Sequence, residues 1–183
     1  MHKKWNISQI GAARFSKKLN IDNPLYRDFS AAYSDYMEMP AAVINKGLEF
    51  YNYVSYDVLD DEEVEANVHL RVGDVIDVKE EEEGNSFAII RAIIRHKANN
   101  ENMYIFLVID WFQAINGEDE LLKCPYYMLQ KSEETRWRRV YPLTLVDHTS
   151  NTHFIHCCTM GCTNKHDENN RRYIRNVFFY NTV

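Results

Sequence analysis

No stretch of this sequence approaches the roughly 20 apolar residues that a membrane-spanning helix needs. The N-terminus also lacks the uninterrupted apolar segment of a secretion signal, so the chain is expected to stay inside the cell, away from membranes. A basic excess is missing too, because 21 Lys and Arg stand against 27 Asp and Glu, for a formal net charge of −6. Coating nucleic acid by counterion release needs a clearly basic surface, which leaves nucleic acid a secondary partner reached through a local patch. There are four cysteines, three of them crowded at 157, 158 and 162, unlike the spread framework that staples small secreted domains. Reduced thiols or a metal site fit that spacing better. Catalytic motifs are lacking as well: no glycine-rich phosphate loop, no paired-histidine helix motif and no nucleophile elbow. Cys157 or Cys158 beside His156 does not supply a thiol with its base, because neighbours on a strand point to opposite faces. The expectation is a protein that is not an enzyme and carries no cofactor.

What is present is enough apolar material for a core: 183 residues, 45% hydrophobic and 13% aromatic. From Met1 to about Lys18 every charged side chain is basic, which reads as a tail. From Asp22 to Tyr56 the chain is rich in Tyr, Phe, Ala and Met without a steady period, and short helical turns packed on the main fold are expected. Six acids between Asp57 and Glu65 suggest an exposed linker. The boundary is therefore placed between an N-terminal extension, 1–65, and a β domain, 66–183, which is expected to hold the principal core and to fold alone.

Within that domain, residues 68–72 and 75–78 alternate apolar and polar side chains around Gly73-Asp74, the pattern of strands meeting at a tight turn. Residues 80–85 form a charged loop. Phe87 to Ile94 and Met103 to Phe112 make a long hairpin, and the run from Tyr104 to Ile109 is apolar on both faces, implying a central strand covered on each side. Further strands are expected at 137–141, 152–158 and 173–180, with no internal repeat.

The order of these segments resembles the bromo-adjacent homology domain, a module of chromatin proteins. The pieces that carry the likeness are Val72-Gly73-Asp74-Val75-Ile76-Asp77-Val78, Phe87 to Ile93, and Val108-Ile109-Asp110-Trp111-Phe112, followed by Arg139 to Leu143, Thr152 to Cys157 and Tyr173 to Tyr180. The chain departs from the family at Gln113 to Gly117, where Arg-Pro-Glu-Glu is usual. The resemblance implies a mainly β fold, a partly open, strongly bent β-barrel with short helices and an irregular N-terminal extension. It also implies a nuclear module whose partner is a histone or other chromatin protein.

Some members of that family hold a methylated lysine in an aromatic cage, since ring faces attract an ammonium group. By position Phe87 and Trp111 fall where two walls would stand, with Phe112 beside them and Gln113 in place of a third ring. Tyr126 or Tyr127 could complete the set, and Asp110 could add a carboxylate. The competing reading is that Phe87, Trp111 and Phe112 are ordinary strand residues, with at least half of them in the core. Two other groupings stand out. His156, Cys158, Cys162 and His166 are the best zinc-ligand set, but their crowded spacing leads to an expectation of no metal. Arg136, Arg138, Arg139, Arg171, Arg172 and Arg175 would form a basic stripe if their strands were neighbours, and then the chain could be an assembly module that contacts nucleic acid or a protein partner.

Overall fold

The computed structural model describes residues 4–11, 15–17, 23–37, 39, 48–60, 63–80, 84–98, 101–130, 138–149, 152–157 and 172–176. In chain order the elements are β1 (Lys4–Ile10), β2 (Phe15–Lys17), α1 (Pro24–Met37), β3 (Leu48–Tyr51), β4 (Tyr53–Asp60), β5 (Glu63–Arg71), β6 (Val75–Glu80) and β7 (Gly84–Lys97). They continue with β8 (Met103–Glu118), β9 (Pro125–Leu129), β10 (Val140–Pro142), a 3-10 turn (Leu143–Leu145), β11 (Phe154–Cys157) and β12 (Arg172–Arg175). The fold is mainly β, as expected, and its large sheet curls into a partly open half-barrel. Among the described residues that sheet has nine strands, in the order β11-β12-β9-β8-β7-β3-β2, with β10 beside β8 and β6 beside β7. A second sheet has three strands in the order β1-β4-β5.

Three layers result, and β8 shows why. Its side chains alternate: Ile105, Leu107, Ile109 and Trp111 join Val54, Tyr56 and Val58 of the small sheet in one buried cluster. Phe106 and Val108 face the other way and join Phe29, Ala32 and Tyr33 of α1. A strand apolar on both faces is thus covered on both faces. The hairpin partner β7 keeps its own faces aligned by a β-bulge between Ile90 and Ala92. Before it, Ala88 and Ile90 point toward the small sheet, and after it Ile93 does. Without the extra residue one half of β7 would present its apolar side chains to the wrong layer.

The helix α1 starts where local chemistry says it should. Asn23 Oδ1 accepts the Leu25 N–H at 2.9 Å, and Pro24 occupies the first helical position, where its missing N–H costs nothing. Phe29, Ala32 and Tyr33 are spaced to share one face and are buried. Tyr33 Oη lies 2.7 Å from His96 Nδ1 on β7. Burial pushes the Tyr33 phenol well above its usual range, and nearby Tyr104 adds to the shift.

Several expectations are corrected here. The acidic segment Asp57 to Glu65 is not a linker where it is described: β4 and β5 pair from Tyr53 opposite Arg71 to Asp60 opposite Glu63, and 61–62 lie outside the described residues. Part of the supposed basic tail is β1, paired with β4 from Lys4 opposite Leu59 onward. Where short helical turns were expected, the described residues of 22–56 hold a 14-residue helix, the strand β3, which pairs with β7, and the start of β4. The proposed boundary at 65/66 consequently cuts through both buried clusters. The Gly73-Asp74 turn is present, with Gly73 at φ +100° and Asp74 Oδ2 accepting the Arg71 N–H at 2.7 Å. Its flanking strands do not pair with each other: β5 pairs with β4 and β6 with β7, so the turn hands the chain from one sheet to the other. In the 80–85 segment Glu80 still pairs with Gly84, and 81–83 lie outside the described residues. Of the later strands, the described residues hold Val140–Pro142, Phe154–Cys157 and Arg172–Arg175, while 137, 158 and 177–180 lie outside the described residues.

Candidate functional site

Period-two alternation separates the residues proposed for an aromatic cage. Trp111 faces the small sheet, 4% exposed, with its Nε1–H donating to the Arg138 carbonyl at 2.9 Å and its indole edge-on to Tyr141. Ala88, not Phe87, lies opposite Trp111 in the β7–β8 register. Phe87 and Phe112 point to the other face and belong to a different cluster. The pairing of Phe87 with Trp111 as two walls of one cage is therefore corrected: a sheet separates the rings. Tyr126 also points away from that cluster, because its neighbour Tyr127 points into it.

What does converge is a set of rings from five strands on the inner face of the curl. Phe87 (β7), Phe112 (β8), Tyr127 (β9), Phe154 (β11) and Tyr173 (β12) pack around Leu129. The register explains this: Tyr127 lies opposite Ala114 on one side and Tyr173 on the other, and Tyr173 opposite His156. Phe112 and Phe154 stack at 4.2 Å with their planes 6° apart, and Phe154 reaches across to Phe87 at 5.5 Å. Phe87 and Phe112 are buried, whereas Tyr127, Phe154 and Tyr173 keep part of their surface open. Arg175, on the same face two residues after Tyr173, holds its guanidinium 4.6 Å from the Phe87 ring centre. Among the described residues its buried Nε has no hydrogen-bond partner. Burial pushes the Tyr127 phenol up, and Arg175 draws it partly back. Chemically this is a ring-lined surface that already accommodates one cation.

The basic stripe is not continuous. Arg138 pairs with Asp35 of α1. Arg139 donates from Nη2 to Asp110 Oδ1 at 2.6 Å and from its backbone N–H to Asp28 at 3.1 Å. Arg91, at the β7 bulge, takes the other oxygen of Asp110 at 2.6 Å. Asp110 is thus a bridge between two guanidinium groups, not a carboxylate presented to a ligand, and two of the proposed basic residues are neutralised within the fold. Arg172 lies over the Tyr126 ring at 4.9 Å on the opposite sheet face from Arg175. Arg136 and Arg171 lie outside the described residues, as do Cys158, Cys162 and His166 of the zinc-ligand set. His156 is on β11, and among the described residues no group of His, Cys, Asp and Glu is placed to hold a metal ion. Nor is any helix among them long and apolar enough to cross a membrane.

One polar chain, missed in the sequence, has a superficially catalytic look. Ser55 Oγ lies 2.5 Å from His69 Nδ1, and Arg71 Nε donates to His69 Nε2 at 2.9 Å. An imidazole nitrogen that accepts a hydrogen bond carries no proton, so the neutral ring has its hydrogen on Nδ1 and donates it to Ser55. A base that is itself the donor cannot take the serine proton, and this chain positions Arg71 instead of activating a nucleophile. No family model, curated protein or solved structure matches this chain.

Proposed function

We propose that this chain is a non-enzymatic recognition module that binds a basic segment of a histone or other chromatin protein in the nucleus, using the ring-lined face around Arg175. The convergence of Phe87, Phe112, Tyr127, Phe154 and Tyr173 on one surface carries the reading. Rings are the groups that replace the water of a cationic side chain, and a guanidinium lying 4.6 Å over Phe87 occupies the place such a side chain would take. The formal net charge of −6 favours a basic partner over a polyanion. The order of segments that resembles the bromo-adjacent homology domain supplies the chromatin setting.

On this reading the partner's lysine or arginine displaces Arg175, whose unpartnered Nε makes it a poorly compensated occupant. Removing a competing occupant raises the fraction of binding-competent protein, so Arg175→Ala should tighten binding of a histone-tail peptide by about three- to tenfold. Isothermal titration of wild type and variant against the same peptides tests this. Weaker binding by Arg175→Ala would mean that the guanidinium itself contacts an acidic partner, contrary to the proposal.

A further inference from the structure

The small sheet carries a cleft of about 450 Å³ on its outer face, lined by Gln9 (β1), Asn52 between β3 and β4, Tyr53 (β4), and His69 and Arg71 (β5). We propose that it binds a compact anion bearing one flat ring, of the class of a nucleoside monophosphate. The site is separate from the ring-lined face of the large sheet and does not depend on it.

Pairing brings the lining together. Tyr53 lies opposite Arg71, and Ser55 is opposite both His69 and Gln9, so these side chains share one face while Val54, Tyr56 and Leu70 point into the core. The Tyr53 and His69 rings lie 5.4 Å apart with their planes 35° from parallel, forming a wall on which a heteroaromatic ring can stack. Arg71 is fixed in front of that wall by its bond from Nε to His69 Nε2, itself held by Ser55. Fixing a guanidinium through Nε leaves its two Nη groups as a fork for an oxyanion. Among the described residues no carboxylate forms an ion pair with Arg71, although the chain as a whole is acidic. The lining itself contains no acid, Asp74 at the same end of the hairpin is engaged by the Arg71 backbone N–H at 2.7 Å, Asp57 is engaged by the Asn67 amide at 2.7 Å, and Glu63 lies at the other end.

A second, independent feature is Gly11. A Cβ there would come within 2.6 Å of Asn52 Oδ1 and 2.8 Å of Tyr53 Cε1, so a larger residue would push these two side chains away from the end of β1. Gln9 Nε2 donates to the Tyr53 hydroxyl at 3.2 Å and fixes the far end of the same ring. Amides at Asn52 and Gln9 beside a stacking wall are suited to the edge of a base, and the cleft volume is in the range of small-ligand sites.

The test is titration of the full chain, followed by NMR, with AMP, adenosine, inorganic phosphate and a single-stranded hexanucleotide. The expected result is saturable binding of AMP, with adenosine and phosphate each about tenfold weaker or more, since ring and oxyanion act together. Arg71→Gln should weaken AMP about tenfold while leaving the thermal midpoint unchanged, because the side chain is exposed and its loss removes the charged fork. Gly11→Ala should weaken it as well. Absence of saturation with AMP, equal affinity in Arg71→Gln, or binding of the hexanucleotide alone would each overturn the proposal.

Discussion

A chain shortened to Glu65–Val183 should not fold cooperatively. The reason lies in what residues before 65 bury. Phe29, Ala32, Tyr33, Leu48 and Phe50 form one side of the cluster that covers Phe106 and Val108, and Tyr51, Val54, Tyr56 and Val58 supply much of the layer over Leu107, Ile109 and Trp111. Fully burying one large apolar side chain contributes roughly 1.5–3 kcal/mol, and the whole stability of such a domain is about 5–15 kcal/mol. Losing nine core residues therefore exceeds the available margin. The truncation would also strip β5 of β4, the strand it pairs with among the described residues, and leave a long strand with bare edges. Circular dichroism and thermal melting of the shortened chain should show no sigmoidal transition, whereas residues 4–176 should melt as one unit. A sharp transition in Glu65–Val183 would show that the small sheet and α1 are accessories.

The second large effect is expected at Trp111. Replacement by Ala opens a cavity between the sheets and should cost about 3–5 kcal/mol, and it leaves the Arg138 carbonyl without the indole donor it now has at 2.9 Å. For a domain of this size each kcal/mol lowers the thermal midpoint by roughly 2–4 °C, so a drop of about 10 °C is expected. Any loss of peptide binding should then track the unfolded fraction. The contrary outcome, full stability with binding abolished, would place the ring on a ligand surface and contradict its position in the core.

Much of the fold could be read because the relevant signals are local. The β7–β8 hairpin announces itself as two apolar β-branched runs around a polar turn, and the two-faced run from Tyr104 to Ile109 identifies the central strand. The boundary failed for a physical reason. Six acids between Asp57 and Glu65 repel one another in a compact segment, but Val54, Tyr56 and Val58 alternate with Ser55, Asp57 and Leu59, and strand alternation moves several of the charges to a solvated face. The start of α1 was legible in Asn23-Pro24 and in the spacing of Phe29, Ala32 and Tyr33, yet the surrounding aromatic composition obscured it.

The site was less legible because it depends on register. Nothing in the sequence distinguishes Tyr126 from Tyr127, or Trp111 from Phe112, until the pairing partners fix which member of each adjacent pair turns inward. Phe154 stands in a strand-like segment with nothing local to mark it as a ring of the site, since only the curling of the sheet brings β11 against β7. The cleft of Gln9, Asn52, Tyr53, His69 and Arg71 has no motif at all. Its members are joined by strand pairing across sixty residues.

The central claim, that this chain recognises a basic chromatin segment through the ring-lined face, is tested most directly by mapping where a histone-tail peptide binds. In an NMR titration of the full chain the saturable shifts should cluster at Phe87, Phe112, Tyr127, Phe154, Tyr173 and Arg175, and Phe154→Ala should weaken binding by about 2 kcal/mol if that ring is a central contact. Saturable shifts confined to other surfaces, or no saturation with any histone tail, would contradict the claim.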